Sequence, residues 1–236
     1  MSNLFDQLQA LFREESFLML LIMGSYLFGI YLYKRTKISL LQPLLIAILI
    51  IIPFLKLTGI EYLEFANKTH FMNFMLGPSV VALGYVLYEQ LEQIKGNVIS
   101  ILTAVLSGCI VGIISVILIA KGLGADASLL ASLAPKSVTA PIAISLADQN
   151  GGVPALAAAF VVICGVFGGL IGPIVLRKLG IESKLAQGLA MGSASHALGT
   201  ARAMEMGALQ GAISGLAIGI MGIMTALLIP LVQKLF

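Results

Sequence analysis

Six uncharged, apolar runs set the terms for this chain: Ser16–Tyr33, Ile38–Leu55, Phe71–Tyr88, Gly96–Ala120, Gln149–Leu176 and Met206–Gln233. Crossing the hydrocarbon of a bilayer takes about 20 apolar residues in a helix, and each run is near that length. Apolar residues make up 59% of the chain and charged ones 11%, with a mean hydropathy of +1.04. No water-soluble fold covers that much apolar surface, so the class is an all-α polytopic membrane protein. Asp6, Arg13, Glu14 and Glu15 precede the first run and no small-residue cleavage site follows it, which reads as a retained span and not a signal peptide.

Two weaker segments bring the expected count to eight. Ala127–Ala147 is apolar apart from Lys136, and Leu185–Ala201 is uncharged but short and rich in Gly, Ala and Ser. Small polar residues in such places are expected of helices interrupted inside a protein-lined cavity. The spacing Gly108/Gly112, Gly165/Gly169, Gly168/Gly172 and Gly211/Gly215/Gly219 predicts close helix packing. Cys109 and Cys164 lie inside apolar runs and predict packing positions, not a disulfide.

The formal charge of +3 comes from short connections, so it bears on orientation and not on nucleic acid. Lys34, Arg35 and Lys37 crowd one loop and Arg177, Lys178 and Lys184 another, which places both on the cytoplasmic side. Eight plain crossings would put them on opposite sides. A re-entrant segment is therefore expected, either Phe71–Tyr88, broken at Gly77 and Pro78, or Ala127–Ala147, broken at Pro135 and Pro141; charge counting does not choose. The chain reads as one transmembrane domain over 1–236, and the halves Met1–Gly122 and Leu123–Phe236 are compatible with inverted repeats.

Three stretches carry the chemistry: Leu76-Gly77-Pro78-Ser79, Ala134-Pro135-Lys136-Ser137-Val138-Thr139-Ala140-Pro141, and Gly192-Ser193-Ala194-Ser195-His196-Ala197-Leu198-Gly199-Thr200. Each break frees peptide groups that lipid cannot satisfy. A helix restarting there aims its partly positive N-terminus inward, and hydroxyls add donors suited to a carboxylate. The candidate substrate-binding residues are Pro78, Ser79, Lys136, Ser137, Thr139, Ser193, Ser195, His196 and Thr200. His196 reads either as functional or as a packed imidazole, and Lys136 either as an anion attractor or as a snorkelling lysine. Arg202 and Glu205, three apart, suit a helix-face ion pair, and Asp148-Gln149-Asn150 reads as a solvated loop. There is no His-Glu-x-x-His pair, Gly-x-Ser-x-Gly elbow or P-loop, so no enzyme, metal or cofactor is expected.

The run Leu133–Ala143, together with Gly192–Ala201 and Phe74-Met75-Leu76-Gly77-Pro78, resembles the LrgB/CidB family over nearly the whole chain. That resemblance implies a bacterial inner-membrane protein of multiple passes, in a family described as antiholin-like modulators of murein hydrolase export. A plant relative is a plastid glycolate/glycerate transporter, and bacterial pairs are linked to pyruvate and related acids. The resemblance thus implies a carrier of small monocarboxylates working beside an LrgA-like small membrane protein, with the lipid bilayer as its medium and homo-oligomers possible. The alternative is a holin- or antiholin-like protein that controls permeability.

Overall fold

The computed structural model describes residues 7, 9–36, 41, 43–89 and 91–232, and places helices over most of them with no strand among them. Asp6, Lys37, Ile38 and Gln233, which enter the expectations above, lie outside the described residues. The chain divides into two compact units, Met1–Val81 and Ala82–Phe236.

The first unit holds α1 (Glu15–Thr36), α2 (Pro43–Thr58), α3 (Tyr62–Lys68) and the beginning of α4 (His70–Glu89). Glu15 in the first turn of α1 and Lys34 and Arg35 in its last complement the helix dipole. α1 packs on α2, where Gly29 admits the Pro43 backbone so closely that a Cβ would stand 2.7 Å from it. The chain bends by 116° between α2 and α3, at Gly59 with φ +67°. Arg13 and Lys68 both pair with Glu64, at 2.9 and 3.2 Å. α4 runs unbroken through Pro78, contrary to the expected interruption at Gly77-Pro78. One proline removes one i to i−4 bond, a loss that a long helix can carry with the rest of its ladder intact.

The second unit, after the end of α4, contains α5 (Leu91–Lys95), α6 (Val98–Gly122), α7 (Ala127–Leu133), α8 (Ala140–Gln149), α9 (Pro154–Lys178), α10 (Lys184–Met206) and α11 (Ala208–Val232). Directions follow from side-chain contacts. The Cys109 thiol of α6 meets the Thr225 hydroxyl of α11 at 3.2 Å, and Ile113, Ile117, Ile229 and Val232 gather at one end, so these helices run parallel. Gly188 and Gly192 of α10 face Gln210 and Ser214 of α11, so the first half of α10 also runs parallel to α11. Gly172, Gly168 and Gly165 of α9 face Met191, Ser195 and His196 in that order. α9 is therefore antiparallel to both α11 and α6.

Two hairpins follow from these directions. The path α7, turn 134–139, α8 begins where α6 ends and finishes where α9 begins, which is the same end of the unit. α10 begins where α9 ends and finishes where α11 begins, at the other end. Its helix is sharply broken at His196 (φ 42°, ψ −134°), and Gly199 abuts the Met191 carbonyl, eight residues back, where a straight helix would carry it about 12 Å away. The expected count of eight membrane segments, at least one of them re-entrant, is somewhat higher than the number of spans found. Among the described residues α1, α6, α9 and α11 are long and apolar enough to cross a membrane, with a fifth span if α2 and α3 count as one. The two weaker segments return to the end from which they entered, each arm reaching about half of a ~30 Å hydrocarbon layer. Exposed Leu118, Ile163, Ile223 and Leu227 on the three long helices suit lipid contact.

Candidate functional site

The hairpin tips come from opposite ends and line one cavity of about 920 Å³ in the second unit. Lys136 and Ser137 enter from the first tip, Ser193, Ala194 and Ser195 from the second, and Ser100, Gly108 and Gly112 of α6 and Cys164, Phe167 and Gly168 of α9 complete its wall. The first tip is shaped by Pro135, which is fully buried, and by Thr139, whose extended backbone (φ −68°, ψ 152°) caps α8 with Pro141 in its first turn. The Lys136 ammonium donates to the Ser137 hydroxyl at 3.0 Å. No Asp or Glu lines the cavity among the described residues, so its walls are apolar with one cation and a few hydroxyls.

Four of the nine sequence-derived candidates, Lys136, Ser137, Ser193 and Ser195, therefore line the same cavity. Three others serve the scaffold. His196 is buried and its Nε2 donates to the Val161 carbonyl oxygen at 2.9 Å, so the imidazole ties the second tip to α9. Thr200 is buried against Ser214, hydroxyl to hydroxyl at 2.7 Å, and joins the returning arm of α10 to α11. Thr139 stands at the N-cap of α8 and does not line the cavity. Pro78 and Ser79 lie on α4 in the first unit, a body described separately from the cavity. Arg202 and Glu205 pair across one helix turn as expected. Asp148 and Gln149 close α8 and are not a loop, while Asn150 caps it, donating to the Leu146 carbonyl oxygen at 2.6 Å.

Sequence reasoning missed the far wall. Ser100, Ala104, Gly108 and Gly112 recur every four residues and form one face of α6; Cys164, Gly168 and Gly172 do the same on α9. That spacing predicts packing. It is right for Gly165, Gly168 and Gly172, but a Cβ at Gly108 or Gly112 meets nothing within 4 Å. Cys164 borders the cavity, its thiol 3.5 Å from the Ala194 carbonyl oxygen, and both cysteines are free.

Residues 23–235 match the LrgB-like family model. The chain is 40% identical to YxaC of Bacillus subtilis over 219 residues, covering 93% of this chain and 95% of that protein. It is 35% identical over 231 residues to the holin-like protein CidB of Staphylococcus aureus, covering 98% and 99% of the two chains. With the antiholin-like protein LrgB of Bacillus cereus it shares 32% identity over 208 residues, 88% of this chain and 90% of the other. No solved structure matches. An all-helical membrane protein matched over nearly its whole length by these proteins and by the family model, the chain belongs to the LrgB-like family.

Proposed function

We propose that the chain is a carrier of small monocarboxylates of the glycolate, glycerate, lactate or pyruvate kind. The observation that supports this reading is that Lys136 and Ser137 line one cavity with Ser193 and Ser195, from hairpins of opposite entry, and that no acidic residue lines it among the described residues. A cation in an apolar wall is costly unless an anion compensates it, and neighbouring hydroxyls give that anion directional donors. Hairpins entering from both ends also leave the bound anion within reach of either side by a modest movement of one tip.

A second reading is favoured by the relatives' names, holin-like for CidB and antiholin-like for LrgB. In it, the protein modulates membrane permeability and murein hydrolase export, with an LrgA-like small membrane protein as partner. One experiment separates the two. Purified protein in liposomes holding labelled glycolate and a large impermeant dye is expected to release glycolate saturably and retain the dye. Dye release at the same rate as glycolate would favour the second reading, and no release of either above protein-free liposomes would sink the carrier.

A further inference from the structure

The second unit contains its own inverted duplication, displaced from the chain halves that divide at Gly122. Pro154 lies 56 residues after Val98, and the helices they open, α6 and α9, are each 25 residues long. The same offset carries Leu123-Gly124 onto Leu179-Gly180, Leu133-Ala134 onto Leu189-Ala190, Ser137 onto Ser193 and Gly151 onto Gly207. All four turn glycines have positive φ (85°, 67°, 76° and 158°). Each helix leads into a hairpin, and α6 and α9 are antiparallel, so 98–151 and 154–207 are related as inverted repeats.

The repeats are not in equivalent positions. In the second, Gly168 of α9 receives Ser195 of its own hairpin so closely that a Cβ there would overlap the hydroxyl. Their counterparts are Gly112 and Thr139. A Cβ at Gly112 meets nothing within 4 Å, Gly112 faces the cavity, and the Thr139 side chain makes no capping bond. The cavity is also oversized for the proposed cargo. At roughly 30 Å³ per heavy atom, the share of a liquid water, an acid of five to seven heavy atoms takes no more than about 210 Å³.

We infer that the protein has a second conformation in which the 134–139 tip moves onto α6 and Thr139 seats on Gly112, as Ser195 seats on Gly168, closing the cavity around Lys136. The seat on α6 is empty, and the movement repacks Ala134 and Val138, which are buried at the tip. With both tips seated the two repeats become equivalent, which is the closed state that alternating access between inverted repeats passes through. Its purpose rests on the carrier reading; its existence does not.

The test is a disulfide between Gly112→Cys and Thr139→Cys in the full chain, in native membranes, with Cys109 and Cys164 replaced by alanine. Bridging requires Cα atoms within about 7 Å. Under a mild oxidant the pair is expected to cross-link in most molecules within minutes, whereas Gly112→Cys with Ser145→Cys stays at least tenfold slower. Both cysteines labelling freely with a maleimide while no bridge forms would overturn the second conformation. Cross-linking unaffected by glycolate would still support it and would count against the carrier reading alone; acceleration by glycolate supports both.

Discussion

The Nε2 of His196 lies 2.9 Å from the carbonyl oxygen of Val161, 35 residues earlier on another helix. A carbonyl only accepts, so the imidazole donates through that nitrogen. His196 is also the only non-glycine among the described residues with positive φ. A conformation of that kind costs about 1–3 kcal/mol and persists when surroundings over-determine it. The bond to α9 is one such constraint, holding the tip that presents Ser195 to the cavity.

Replacing His196 by Leu removes the bond and keeps the backbone strain, whereas Gly removes both. Each lost buried bond is worth about 0.5–1.5 kcal/mol, so His196→Leu is expected to melt several degrees below wild type in detergent, with His196→Gly between them. A His196→Leu protein as stable as wild type would contradict this role.

The glycines of α6 and α9 separate by substitution. Gly168→Ala puts a methyl on the Ser195 hydroxyl and is expected to cost about 1–3 kcal/mol of stability as overpacking. Gly108→Ala meets open space inside a helix and is expected to be neutral or to gain up to ~1 kcal/mol. Melting temperatures that fall equally in both variants would show that Gly108 packs after all.

The hairpins make a topological prediction. Single cysteines at Glu182 and Ala208, either side of α10, are expected to label from the same face of the membrane, the cytoplasmic one by the charge of Arg177, Lys178 and Lys184. Cysteines at Leu123 and Val153, either side of the first hairpin, are expected to label only from the opposite face. A split within either pair would mean that the hairpin crosses.

The break at Pro135–Pro141 was legible because two prolines flank a lysine and two hydroxyls within an apolar stretch, and few other arrangements suit that pattern. Gly77-Pro78 has similar local chemistry, yet α4 continues through it: residue type signals that a break is permitted, and packing decides whether it occurs. The fold-back at His196 was legible as an interruption but not as a hairpin. Its pivot is a histidine held by a contact from α9, which no local pattern reports. Gly108 and Gly112 were misassigned because spacing cannot distinguish a glycine that admits a neighbour from one that leaves room. The positions of Ser137 and Ser193 needed only the broken segments; their convergence needed the antiparallel run of α6 and α9.

Lys136 is the charge proposed to hold a carboxylate between the tips, and binding of glycolate to the purified protein by isothermal titration tests that role most directly. Lys136→Met is expected to weaken binding by about 10- to 100-fold, the worth of a charge-assisted contact, and Ser137→Ala or Ser193→Ala by less. Thr200→Val, away from the cavity, is expected to leave affinity unchanged in protein that remains folded. Equal glycolate affinity in wild type and Lys136→Met would contradict the account.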